Sequence, residues 1–150
     1  MRKKLTAIAA SSALLFASAM SVAASLIPLG VHDGIYTVPV QINRTVTAEF
    51  LVDSGSSVVV IPENMLKTLI ARGTVTQEDI LGTGTAMLAD TSLYKSVQLR
   101  IRELRVGDIV LRDVLAAVSP SLIQPILGQS FLGRFGSVTF DNQRRLLMLQ

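Results

Sequence analysis

From residue 35 onward the chain alternates. Tyr36, Val38, Val40 and Ile42 are separated by Thr37, Pro39 and Gln41, the two-residue period of a strand with one buried face. Asn43-Arg44 supplies a turn, and Val46, Ala48, Phe50 and Val52 then alternate with polar neighbours, which predicts the second arm of a hairpin. The β-branched run Val58-Val59-Val60-Ile61 ends at Pro62 and reads as a buried strand. Residues 63–71, closed by Gly73, predict one short helix. Residues 83–88 and 93–101 predict a hairpin around Ala89-Asp90-Thr91-Ser92. Segments 104–106 and 109–111 flank Gly107-Asp108 as a tight hairpin, and 114–118 is one more strand. A second short helix over 129–135 ends at Gly136, and 138–140 pairs with 146–149 in a last hairpin. The pattern predicts an all-β fold: a closed barrel with one or two short helices in a single lobe.

The first segment follows a different rule. Arg2-Lys3-Lys4 heads an Ala/Ser/Leu-rich stretch that ends in the small residues Ser21-Val22-Ala23-Ala24. This is the layout of a secretory signal peptide cleaved near Ala24. A retained N-terminal anchor is the competing reading, because no charge occurs between Leu5 and Val31. The organisation expected is a signal peptide or anchor over 1–24, an N-terminal arm over 25–34 and one domain over 35–150. Either reading of the leader places the domain outside the cytoplasm, with the periplasm as the expected compartment.

Composition narrows the chemistry. In 150 residues, 49% are hydrophobic and 17% charged, and the mean hydropathy of +0.50 argues against disorder. Three of the 14 Lys/Arg lie at positions 2–4, so eleven face eleven Asp/Glu beyond residue 24 and the formal charge of +3 belongs to the leader. No electrostatic case for nucleic acid remains. No Cys means no disulfide, no thiolate nucleophile and no Cys-ligated metal. With His32 as the one histidine, a Ser-His-Asp triad or multi-His metal site is not expected. The chemistry left belongs to carboxylates, hydroxyls and backbone, with no metal or cofactor.

One string concentrates those groups. Phe50-Leu51-Val52-Asp53-Ser54-Gly55-Ser56-Ser57 places an Asp at the end of an apolar strand and just before a Gly turn. The sheet fixes the backbone of such a carboxylate while its head projects from the turn. By composition, such an Asp-hydroxyl-Gly-small string arises about once or twice per hundred chains of this length. An ordinary β-turn is therefore the rival reading. A second element, Pro125-Ile126-Leu127-Gly128, follows, with Gly128 lying 75 residues after Asp53, and leads into Gln129-Ser130-Phe131-Leu132.

The order of these pieces resembles the retropepsin-like aspartic proteases, over residues 35 to 149, and is closest to their exported or membrane-anchored bacterial members. The resemblance implies a homodimer whose active site lies across a two-fold axis, each protomer giving one Asp. On that mapping Asp53 is the catalytic residue, Ser54 the hydroxyl that bonds across the dimer, and Gly55 the motif glycine. Ser56, Ile126, Leu127 and Gly128 support the catalytic loop. Met87, Leu88, Ala89, Asp90 and Thr91 fall in the hairpin that would cover substrate, although its tip lacks the Gly-rich run of viral members. The implied function is that of an aspartic endopeptidase acting on protein or peptide, without nucleic acid, and with membrane only if the leader is retained. Two alternatives are the same fold used as a non-catalytic binding or assembly module, and a periplasmic β-barrel whose Asp53 turn is incidental.

The residues support a dimer independently of the resemblance. Peptide hydrolysis by carboxylates needs one group to take a proton and another to give one, and two close carboxyls share a proton because both resist ionising together. With one Asp-Ser-Gly motif in the chain, the second Asp53 must come from another copy. A Ser56 hydroxyl near the pair would favour its charged form and predicts an acidic optimum. Elsewhere, Arg100, Arg102 and Arg105 are expected on a solvated strand face, and Arg144-Arg145 as protection of an edge strand. His32 and Asp90 read as exposed polar residues. The apolar ends, Leu26-Ile27 and 146–149, suit either pairing across the dimer or a place in the core.

Overall fold

The computed structural model describes residues 24–87 and 93–150. The leader as far as residue 23, and Leu88, Ala89, Asp90 and Thr91 of the expected substrate-covering hairpin, lie outside the described residues. The strands are β1 (Ser25–Pro28), β2 (Gly30–His32), β3 (Ile35–Ile42), β4 (Val46–Val52) and β5 (Val59–Pro62). Then come helix α1 (Glu63–Ala71), a 3-10 turn (Gln77–Asp79), β6 (Ile80–Met87), β7 (Leu93–Val106) and β8 (Ile109–Ser119). The chain closes with β9 (Ile126–Leu127), α2 (Gln129–Leu132), β10 (Val138–Asp141) and β11 (Leu146–Leu149).

Alternation becomes a barrel because β3 has partners on both sides. It pairs with β4 along Thr37↔Leu51 to Ile42↔Val46, and its far half also pairs with β7 along Val40↔Val106 to Ile42↔Leu104. That second pairing closes the order β3-β4-β9-β5-β8-β7 into a ring. Inside it Val38, Val40, Ile42, Phe50, Leu104 and Val106 are buried, each on the inward phase of its strand. The turns suit the hairpins they join. Asp33 and Gly34 have φ 49° and 80°, and Asn43 and Arg44 have φ 47° and 57°. Two successive left-handed residues match the twist of the flanking strands. Arg44 reaches back to Glu103 with bonds of 3.0, 3.2 and 2.8 Å, so its hairpin tip is tied to β7. Helix α1 ends in Gly73 at φ 68°, where Gly73 N–H bonds Ile70 O at 2.9 Å and Thr74 N–H bonds Leu69 O at 3.0 Å. These two bonds satisfy the last carbonyls of the helix.

Several elements differ from the expected ones, each for a local reason. β7 and β8 are single long strands rather than two pairs of short ones. Their ladder keeps one register from Gln98↔Ala117 to Val106↔Ile109, but the buried phase slips from Leu99 and Ile101 to Leu104 and Val106. Asp113, at φ 54°, takes up that bend opposite Arg102. Helix α2 stops at Leu132, and turn bonds such as Arg134 N–H to Phe131 O at 3.1 Å follow instead of helix. The segment expected as an arm carries β1 and β2, and β1 pairs with β11 of the same chain from Ser25↔Leu149 to Pro28↔Leu146. Of the two roles open to the apolar ends, the core role holds here: Ile27, Leu147 and Leu149 are buried. Arg100 and Arg102 are not merely solvated, since both face the buried Asp79. Arg144 sits in the turn before β11 and bonds Asp141 at 2.6 Å rather than guarding an edge strand.

Candidate active site

Asp53 owes its position to the barrel rather than to its turn. β4 carries the chain outward, and at its end Leu51 N–H bonds Pro125 O at 2.9 Å while Asp53 N–H bonds Leu127 O at 3.1 Å. β9 lies parallel to β4, with Leu51↔Ile126 and Val52↔Leu127, and antiparallel to β5 at Val60↔Ile126. It is thus inserted between two strands that are consecutive in the chain. The connection from β4 to β5, residues 53–58, has to pass around the end of β9. The two motifs separated by 75 residues in the sequence therefore form one structure.

Within the loop two contacts restrain the carboxylate and its backbone. Gly55 N–H donates to Asp53 Oδ1 at 2.8 Å, and Ser56 N–H approaches Asp53 O at 3.3 Å. A Cβ on Gly55 would lie 3.1 Å from Asp53 Oδ1, crowding the oxygen that its N–H holds. Gly128 is needed for space: a Cβ there would stand 2.2 Å from Val58 O and 2.8 Å from Ser56 O. Asp53, Ser54 and Gly55 are exposed, whereas Leu127 and Gly128 are buried. A carboxyl group thus stands in solvent on an apolar base.

Ser56 is brought to this loop but does not serve the carboxylate. Its hydroxyl donates to Val58 O at 2.8 Å. With its single proton engaged there, it has none to give Asp53 in this arrangement, so the bond expected to the carboxylate is not made.

Two residues that pattern reading passed over complete the support. Gln129 N–H donates to Ser56 O at 2.8 Å, and its side-chain Nε2 donates to Ser54 O at 2.8 Å. Ser130 Oγ donates to Leu115 O at 2.6 Å and accepts from Val59 N–H at 2.8 Å, pinning β5 to β8. Their signal in the sequence is small: two polar residues directly after Gly128, ahead of the apolar Phe131-Leu132.

β6 and β7 form the arms of the hairpin expected to cover substrate, pairing from Ile80↔Leu99 to Met87↔Leu93. The register shifts between Ile80 and Gly82, and Gly82 takes φ 114° at that irregularity. This accounts for a glycine at the base of the hairpin rather than at its tip. The same base is held electrostatically. Burial pushes the Asp79 carboxyl up, but the hydrogen bond from Arg102, the Thr76 N–H and the Arg102 charge outweigh it and hold the group below the ordinary carboxylate range. The bonds are Arg102 Nε to Oδ1 at 2.7 Å and Thr76 N–H to Oδ2 at 2.9 Å.

Known proteins share this fold. The crystal structure of a retropepsin-like aspartic protease from Rickettsia conorii superposes with a TM-score of 0.62 at 22% identity, covering 85% of this chain and 99% of that one. No curated protein sequence matches the chain. The sequence profile of the "gag-polyprotein putative aspartyl protease" family matches residues 38–134, a span that includes both the Asp53 loop and the Ile126-Leu127-Gly128 segment beneath it. With that match over most of its length, and a barrel that presents an Asp-Ser-Gly loop around an inserted strand, the chain belongs to the retropepsin-like aspartyl protease family.

Proposed function

We propose that the protein is an aspartic endopeptidase that works as a homodimer, hydrolysing peptide bonds through a water activated by two Asp53 carboxyls, one from each protomer. The observation that carries this reading is the exposed Asp53, fixed by Gly55 N–H and the Leu127 carbonyl at the tip of β4, with no second acidic residue in its loop. An acid–base pair needs a second carboxyl, and a two-fold axis near the Ser54 tip would supply it from an identical loop.

The chemistry follows from the pair. The ionised Asp53 takes a proton from water as the water oxygen bonds to the scissile carbonyl carbon, while the partner's Asp53 gives its proton to the carbonyl oxygen. In the second half the Asp53 that took the water proton gives it to the amine nitrogen as the carbon–nitrogen bond breaks, and the partner's Asp53 takes a hydroxyl proton back as the carbonyl of the new carboxyl re-forms. The carboxyls end with the one shared proton they began with. The leader supports export to the periplasm, by cleavage or as an anchor.

The test is hydrolysis of denatured protein and peptide libraries over a pH series, with fragments read by mass spectrometry. Asp53→Asn should abolish cleavage and leave the circular dichroism spectrum and thermal midpoint unchanged. Equal fragment patterns from both proteins would remove the enzyme reading and leave a binding or assembly module on the same fold.

A further inference from the structure

We infer that Gln129 is a positioning residue for Asp53, acting through the Ser54–Gly55 peptide; the inference rests on the enzyme reading above for its kinetic consequences, but not for its structural ones. The argument begins with one peptide plane. Its carbonyl belongs to Ser54 and accepts from Gln129 Nε2 at 2.8 Å. Its N–H belongs to Gly55 and donates to Asp53 Oδ1 at 2.8 Å. The three groups form a chain: side-chain amide, peptide, carboxylate. A donor on the oxygen of an amide draws charge through the conjugated unit and makes its N–H a stronger donor. It also fixes the rotation of that plane, and with it the direction in which the N–H points.

The geometry suits an amide and excludes its neighbours in shape. A carbonyl oxygen needs a donor opposite it, so the NH₂ end of Gln129 must face Ser54. A Met of similar length offers no donor, and an ionised Glu offers only acceptors. Gln129 is itself held in place, because its own N–H bonds Ser56 O at 2.8 Å as α2 begins. Backbone and side chain of one residue therefore grip the loop on either side of Gly55. Since the side chain is exposed, substituting it leaves the barrel core untouched, and its role can be read apart from folding.

The experiment uses the full chain, ¹⁵N-labelled, as wild type, Gln129→Met, Gln129→Glu and Asp53→Asn. In Gln129→Met the Gly55 amide proton should move upfield, as its bond to Asp53 weakens, with the thermal midpoint unchanged. In peptide hydrolysis kcat should fall about tenfold while KM stays within about twofold, the signature of a misaligned carboxylate rather than a damaged binding site. Gln129→Glu at neutral pH should lose more than Gln129→Met, because an acceptor then faces a carbonyl. A Gly55 resonance and kcat both at wild-type values in Gln129→Met overturn the inference. So does a loss of kcat accompanied by an equal rise in KM or a lowered midpoint. If the wild type cleaves no better than Asp53→Asn, the enzyme reading fails by itself, and the Gly55 resonance alone decides whether Gln129 acts on Asp53.

Discussion

At the scale of single residues, the Asp53 loop is specified by absence as much as by presence. Gly128 has an ordinary φ of −104°, so it is not there for conformational freedom. It is there because a Cβ would meet Val58 O at 2.2 Å, and both that oxygen and Ser56 O are backbone atoms already bonded, the first by the Ser56 hydroxyl and the second by Gln129 N–H. Gly128→Ala should therefore destabilise the protein by about 1–3 kcal/mol and remove cleavage activity, as measured by urea unfolding and peptide hydrolysis. Gly84 is a useful contrast. Its added Cβ would meet Gln98 Nε2 at the same 2.2 Å, but that atom ends a flexible side chain that can swing away. Gly84→Ala is expected to unfold at nearly the wild-type urea concentration. Ser56 makes a third case. With its hydroxyl donated to Val58 O, Ser56→Ala should lower stability by about 1 kcal/mol and leave the pH–rate profile where it was. An upward move of the acid limb would return the hydroxyl to Asp53.

Among the elements, what could be read in advance depended on whether alternation and hydrogen bonding told the same story. β3 and β4 alternate cleanly from Tyr36 to Val52 and were legible to within a residue or two. β7 was not, because the buried phase slips at Glu103-Leu104 while the ladder continues; periodicity registers a break where the backbone only bends at Asp113. Asp53 and the Ile126-Leu127-Gly128 segment were legible as motifs, since each has a distinctive local composition. Gln129 was not, because its role depends on which carbonyl lies opposite it across a long loop of sequence. Asp79 was hidden for the same reason: Arg100 and Arg102 read as solvated until a buried carboxylate is placed beneath them. That carboxylate links the 3-10 turn to β7 at the root of the β6–β7 hairpin, and it yields a pH prediction. Its folded-state value is depressed, so the native state binds the proton less readily than the unfolded chain. The stabilisation is then fully present above the unfolded value of about 3.9, and is lost as pH falls through the lower folded one. Glu103 is held down first by its Arg44 hydrogen bond, and Asp141 first by the Arg144 N–H, so both act in the same direction. Thermal midpoints should accordingly fall with acidification below pH about 4, and Asp79→Asn should start lower at neutral pH and fall less steeply. An identical slope in the variant would show that Asp79 does not contribute.

For the whole molecule, the decisive matter is how a second copy could approach. β11 is occupied on both sides, by β1 and β10 of its own chain, so its backbone offers no free edge. Among the described residues the end strands are β1 and β10 in one sheet and β2 and β6 in the other, and the tip formed by Asp53, Ser54 and Gly55 is exposed as well. Only an arrangement including that tip brings two Asp53 carboxyls together, and it carries a quantitative consequence. Suppose wild type is mixed with an equal amount of Asp53→Asn, and the protomers exchange freely. About half of the wild-type chains then sit in mixed dimers, each with one carboxyl and one amide at the axis. An amide can neither take the proton from water nor hold the one that the pair shares, so mixed dimers are silent. Activity per wild-type chain should drop to about half at equal mixing, and to about a quarter at threefold excess of the variant. A protein acting as a monomer would keep its full rate at every ratio. Dilution gives the matching signature: specific activity should fall as dimers dissociate, and added Asp53→Asn should lower it further rather than restore it. Restoration on adding the variant would mean that association merely stabilises each protomer, and that the catalytic group of each is complete without the other.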